Sequence, residues 1–293
     1  MPGSADVFGL RGWILRRDGR MEQALEALNA AAVLDPLSQD MVLSLSESYG
    51  LLGDLEQART WADRLTHIPG ASSDARLEYP ALRMRVLGDT ATLRLALADQ
   101  PPSPGSYLMP EFLLLPYYER DYTRALAAIE VYPGELLSEQ FYKLPKVLLG
   151  AMATNAGGQE EAARNLATAA EGKIDALLAD DPGDYRLMMS RALALALLGE
   201  AESARDWARR ALDSPVVAKD TLLRSRLLGD RLRVLALVEE SSTLARELED
   251  YLGMPIKYLH FDGLVLDPVF DRHRNDPAFK ALEARYSRKE QAQ

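Results

Sequence analysis

FGLRGWILRRDGRMEQALEALNAAAVLDP, residues 8–36, repeats small side chains at seven-residue intervals: Gly12 with Gly19, then Ala24 with Ala31. Apolar positions Leu15, Met21 and Leu28 lie between them, and Pro36 closes the stretch. This pattern predicts two short antiparallel helices packed very closely, with Gly12 and Ala24 at the crossing, where a larger side chain would push the backbones apart. Proline has no amide to donate, so Pro36 stops the second helix and begins the next unit.

Working outward, the small residue of the second helix serves as a marker. Its counterparts are Ala58, Leu93, Ala125, Ala162, Ala204 and Ala245, at successive spacings of 34, 35, 32, 37, 42 and 41 residues. Tyr49, Gly53, Ala58 and Ala62 carry the second unit, which ends at Pro69-Gly70. In the third, Gly88 is kept and Leu93 replaces the small residue. Three prolines and a glycine in Pro101-Pro102-Ser103-Pro104-Gly105 cannot be helix interior and read as a stiff turn. Pro110 and Pro116 predict a short or kinked first helix in the fourth unit. Gly150, Gly157, Ala162 and Ala169 restore the pattern in the fifth, whose second helix runs to about Ala179. Ala192, Gly199, Ala204, Ala208 and Ala211 carry the sixth, ended by Pro215, and residues 221–252 form a degenerate seventh pair turning at 239–242. Beyond Gly253-Met254-Pro255 comes an irregular stretch, then a last helix from Pro277 after Asp276, a sound helix start.

Alanine and leucine dominate, aromatic residues are only 7% and β-branched runs are scarce, which moves the prior to an all-α chain. With no cysteine there is no disulfide, thiolate metal site or cysteine nucleophile. A net charge of −10 argues against nucleic-acid binding, which needs a basic stripe to displace phosphate counterions. No apolar run approaches the ~18 residues of a membrane helix. The first dozen residues lack a basic start followed by an apolar stretch, so no secretory signal is expected. A soluble cytoplasmic chain is the resulting expectation.

The ~34-residue period with its small-residue signature resembles the tetratricopeptide repeat. The resemblance implies one all-α, right-handed superhelical solenoid of about seven antiparallel helix pairs with a C-terminal capping helix. Its expected parts are regular repeats over residues 1–100, a proline-interrupted repeat over 101–133, longer repeats over 134–256 and a cap over 257–293. The second half also resembles the C-terminal repeat module of bacterial winged-helix regulators, class III adenylate cyclases and serine/threonine kinases. That resemblance rests on Glu119-Arg120-Asp121-Tyr122-Thr123-Arg124-Ala125-Leu126, the long fifth unit, Leu266-Asp267-Pro268-Val269-Phe270-Asp271 and Arg274-Asn275-Asp276-Pro277-Ala278-Phe279. It implies a regulatory, non-catalytic role, and a periplasmic location if the chain is a piece of a membrane-anchored regulator.

No phosphate loop, dinucleotide fingerprint, nucleophile elbow, HExxH or EF-hand occurs in the sequence. Of the three histidines, His260 with Asp262 and His273 with Asp271 are the nearest approach to half a site, without a further ligand at helical spacing. No catalytic residue, cofactor or metal is therefore expected. In tetratricopeptide arrays the first helix of each pair lines a concave face where partners dock. Laid on this chain, that places Trp13, Arg16, Arg17, Glu47, Glu78, Arg85, Tyr117, Tyr118 and Asn155 in the groove. A Trp flanked by arginines and a Tyr pair are hot-spot residue types. The alternative packs Trp13 and Tyr117 between helices and leaves the charges solvated. The carboxylate clamp of chaperone-binding domains is absent, since Gly9, Trp13, Ser44, Ala75 and Tyr79 stand at its positions. The functional expectation is a protein- or peptide-binding scaffold, with a regulatory module as the alternative.

Overall fold

The protein is described by a computed structural model over residues 4–99, 102 and 106–288. Its helices pair in sequence order. The first two pairs are α1 (Ala5–Arg17) with α2 (Met21–Leu34) and α3 (Gln39–Leu52) with α4 (Leu55–Arg64). The next are α5 (Ser73–Leu87) with α6 (Thr90–Asp99) and α7 (Met109–Tyr118) with α8 (Tyr122–Val131). A hairpin of β1 (Leu136–Ser138) and β2 (Lys143–Pro145) precedes α9 (Lys146–Ala156) with α10 (Glu160–Asp180). Then come α11 (Tyr185–Leu198) with α12 (Ala201–Leu212), a single turn α13 (Pro215–Ala218), and α14 (Thr221–Val238) with α15 (Ser241–Leu252). The chain ends with a short α16 (Phe261–Leu264), a 3-10 segment over Pro268–His273 and α17 (Pro277–Tyr286). The architecture is a helical solenoid of antiparallel pairs.

Small residues set the close packing. A methyl group built on Gly12 would come within 2.6 Å of Leu28, and Ala24 opposite is wholly buried. Ala58, Ala125 and Ala204 are likewise at 0% exposure. In the fifth unit the marker shifts by one: Ala162 is exposed and Ala163 is buried, because α10 turns Ala163, Ala167, Ala170, Ile174 and Leu178 inward as one stripe. The turns inside the pairs repeat one geometry. The amides of Arg20, Asp54, Asp121, Gln159 and Glu200 bond back to the carbonyls of Leu15, Tyr49, Pro116, Thr154 and Leu195 at 2.9–3.1 Å. This capping bond needs a left-handed residue at the turn, usually glycine. In the fourth pair that residue is Arg120, φ 62°.

Two features lie outside the sequence expectation. The β-hairpin joins α8 to α9 in the register Leu136↔Pro145, Leu137↔Leu144 and Ser138↔Lys143, and buries Leu137 and Tyr142 in the main core. The proline-rich break at 101–105, Pro102 apart, lies outside the described residues. The second feature is closure. Met21 of α2, Leu51 of α3, Leu222 of α14 and Ile256 form one apolar cluster, so the first pairs of the array meet the last. Arg17 on α1 pairs with Asp220, the residue that caps α14.

The C-terminal segment follows from that closure. Phe261, Phe270 and Phe279 are buried among Leu235, Leu244, Leu248 and Tyr251, covering the apolar face of the seventh pair. Upstream, residues 254–267 run back across the inner side of the array. The Lys257 amide donates to the Leu51 carbonyl (3.1 Å) and the His260 amide to the Arg85 carbonyl (3.0 Å). Both carbonyls lie in the last turn of a helix, where they lack an intrahelical partner. No helix among the described residues is long and apolar enough to cross a membrane.

Candidate functional site

The first helices of the pairs, α1, α3, α5, α7, α9, α11 and α14, turn toward a common interior, and residues 254–267 pass through it. Tyr258 sits at the centre. Its ring lies between two guanidinium groups, Arg85 at 4.9 Å and Arg226 at 4.2 Å from the ring centre. Its hydroxyl accepts from Arg85 (2.8 Å) and donates to Glu111 Oε1 (3.2 Å). Cation–aromatic contacts of this kind gain strength away from water.

Arg85 also pairs with Glu78, which accepts from the Tyr107 hydroxyl at 2.8 Å. Burial pushes the Glu78 carboxyl up to about 7, with Arg85 opposing the shift. Burial pushes the Tyr118 hydroxyl up to about 12, while Arg233 opposes. Further along, Asp267 is wholly buried, accepting from the Tyr117 hydroxyl at 2.6 Å and from Arg233 Nε at 2.8 Å. Arg120, the left-handed turn residue, reaches the Leu266 carbonyl (2.5 Å) and Asp271 (2.6 Å). The strain of that backbone, ~1–2 kcal/mol, is offset by a clamp on the segment that crosses the interior.

Two cavities flank Tyr258. One, of about 90 Å³, opens toward the first unit and is lined by Arg16, Arg17, Glu47, Glu78, Arg85, Arg226 and the hairpin tip Glu139-Gln140-Phe141. The other, of about 70 Å³, lies deeper, between Glu111, Tyr118, Arg226, Arg233 and an apolar wall that includes Met152 and Met189. Of the residues singled out from sequence, Arg16, Arg17, Glu47, Glu78 and Arg85 meet at the first cavity, and Arg85 and Tyr118 at the second. Arg16 pairs with Glu47 at 2.9 Å, and Arg17 spans from Asp220 to Gln140, the latter at 2.8 Å. Trp13 is half-buried beside them, donating to Ser44 Oγ at 2.7 Å. Tyr117 is fully buried behind the second cavity, and Asn155 lines a separate shallow hollow with Arg164 and Arg272.

Glu111, Arg226, Arg233, Tyr258 and Asp267 were not singled out from sequence. A signal did exist. Arg226, Asp230 and Arg233 stand at helical i, i+4, i+7 spacing within the apolar run of α14, a charged stripe that must face other charges or water. Among the described residues no three His, Asp or Glu side chains gather as a metal site would require.

Residues 10–75 and 155–215 match the sequence model of a tetratricopeptide-repeat family. No curated protein matches the chain. Among solved structures it is similar to PilW, described as a widely conserved type IV pilus biogenesis factor. The identity is 14% over 95% of this chain and 97% of that one, with a TM-score of 0.34. It is also similar to pilF of Pseudomonas aeruginosa, at 13% identity over 96% of this chain and 97% of that one, with a TM-score of 0.30. The family match falls on α1–α4 and on α10–α12, where small residues hold the crossings, and these two stretches carry tetratricopeptide repeats.

Proposed function

We propose that this chain is a non-catalytic scaffold that binds a protein or peptide partner at the mouth of its groove, beside Trp13, Arg16, Arg17 and Glu47. Tetratricopeptide repeats serve protein–protein interaction in general. The observation that carries the finer reading is the segment around Tyr258. The inner helix ends already hold a non-helical stretch of polypeptide, through backbone bonds to Leu51 and Arg85 and an aromatic ring between arginines. The same face continues outward to the first unit, where Arg17 is 42% exposed next to Gln140 and Phe141. Arginine pairs carboxylates in a bidentate manner, so an acidic segment with an aromatic residue fits this mouth.

The test is selection from a peptide library on the intact chain, followed by affinity measurements. Selected peptides should be rich in Asp, Glu and aromatic residues. Affinity should fall about tenfold or more in the double variant Arg16→Gln with Arg17→Gln. Neutral replacements are chosen because Glu at 17 would also repel Asp220. Peptides without acidic enrichment, or binding indifferent to the double variant, would move the docking site elsewhere.

A second reading is a regulatory module of a bacterial cyclase, kinase or transcriptional regulator. The observation favouring it is the clamp of Arg120 on Leu266 and Asp271, which joins two of the stretches that carry that resemblance. A partner that releases residues 254–274 on binding, seen as new protease cleavage there, would support it.

A further inference from the structure

Arg226 is 8% exposed, and its Nε is buried without a hydrogen-bond partner among the described residues. The nearest carboxylate oxygens are Asp230 Oδ2 at 3.7 Å and Glu111 Oε1 at 4.0 Å. Its neighbours show how this protein otherwise settles a buried guanidinium. Arg85 bonds to Glu78 and Tyr258, and Arg233 bonds to Asp230 and Asp267. Glu111, 7% exposed, has the complementary deficit, because its Oε2 is buried without a partner. A buried ion lacking hydrogen bonds is costly, so a protein retains one where something else completes it.

Arg226 borders both cavities beside Tyr258, and Glu111 borders the deeper one. In that cavity the polar side faces an apolar wall of Met84, Leu114, Leu149, Met152, Met189 and Leu193. Water finds partners on the first side alone, since an ordered water needs two to four polar neighbours. A molecule with a charged end and an aliphatic end satisfies both sides.

We propose that the two cavities flanking Tyr258 form one binding site for a small amino-acid-like zwitterion. Its carboxylate pairs with Arg226, its ammonium group donates to Glu111 Oε2, and its aliphatic part lies on the methionine–leucine wall. The room, about 70 and 90 Å³ against roughly 10–15 Å³ for one water, suits a ligand on the order of ten heavy atoms. Tyr258, Leu259, Gly263 and Leu266 form part of the enclosure, so occupancy stabilises the C-terminal segment in its seat. The site shares its outer cavity with the docking mouth at Arg16, Arg17 and Glu47, but the groups that recognise the ligand, Arg226 and Glu111, are not those of partner docking.

The experiment is calorimetric titration of the full chain with the proteinogenic amino acids, their amides and their N-acetyl derivatives. At least one aliphatic amino acid should bind, and loss of its carboxylate or of its ammonium charge should weaken binding about tenfold or more. Arg226→Gln and Glu111→Gln should each weaken the free amino acid similarly, and Glu111→Gln should not further weaken the N-acetyl form. Absence of binding by every amino acid at millimolar concentration overturns the proposal. So does equal affinity for the amide, or an affinity unchanged in Arg226→Gln. Should Arg226→Gln fail to fold, the acid, amide and N-acetyl comparison on the unaltered chain decides alone.

Discussion

Gly263 lies against the backbone carbonyl of Arg85, so close that a β-carbon on residue 263 would sit far inside van der Waals contact with that oxygen. The same oxygen accepts the His260 amide at 3.0 Å, so the C-terminal segment caps α5 by approaching its backbone directly. Only glycine permits that approach. Gly263→Ala should therefore lift α16 from α5, at a cost of at least ~1–3 kcal/mol as an overpacked contact. Hydrogen exchange should show lost protection at the Lys257 and His260 amides while those of α10 and α11 keep theirs. Unchanged protection and an unchanged melting temperature would remove this contact as the anchor.

Ala204 tests the packing of the array itself. It is wholly buried on α12 in the main core, with no exposed edge into which a larger ring could turn. Ala204→Phe should lower stability by at least ~1–3 kcal/mol. Denaturant unfolding of mutant and wild type with equal midpoints would show that the crossing is looser than its burial implies.

The two mutations bear on parts of the chain that were unequally legible in sequence. Ala204 was readable because small residues at a fixed period report a local geometry, two helices crossing, that each unit fixes for itself. The glycines between paired helices were readable for the same reason, and a C-terminal cap was expected from the family pattern. The seat of residues 254–267 was not, since it depends on the first units meeting the last, a relation no period encodes. Gly263, Tyr258 and Asp267 therefore read as parts of an irregular stretch, although Arg85 and Tyr117, which receive them, were singled out. The hairpin after α8 escaped because three-residue strands carry too few positions for an alternating pattern to show.

His260 gives the seated segment a pH dependence. Burial, aided by Arg288 and Lys257, pushes its imidazole down to about 3 from an ordinary 6.5. Above about pH 6.5 the ring is neutral in folded and unfolded chains alike, and the stability is complete. As pH falls below that, the unfolded chain takes up the proton and the folded one does not, so stability is lost down to about pH 3. Glu78 acts in the opposite sense, since burial raises it to about 7: its contribution is present below about pH 4.5 and is lost as pH rises through 7. The comparison that isolates the histidine is thus stability against pH for wild type and His260→Gln. Between pH 6.5 and 4 the variant should lose less, by up to about 1.4 kcal/mol per pH unit. Parallel curves would mean that His260 titrates normally in the folded chain.

Removing residues 257–293 tests whether the closing segment is needed by the array. Phe270 at 0% and Phe279 at 2% exposure cover Leu235, Leu248 and Tyr251, and each buried ring contributes about 1.5–3 kcal/mol. The truncated chain would uncover that face and also leave the carbonyls of Leu51 and Arg85 uncapped at the inner helix ends. Arg85 would lose Tyr258 as well, although Glu78 would still hold it. A contiguous apolar face of this kind promotes association, so the truncated chain should sediment as oligomers at concentrations where the full chain does not, and melt at a lower temperature. The capping role fails if the truncated chain sediments as the full chain does and unfolds at the same denaturant concentration. If association rises while the melting temperature holds, the segment shields the last pair without supporting the inner helices, and the bonds to Leu51 and Arg85 contribute little to stability.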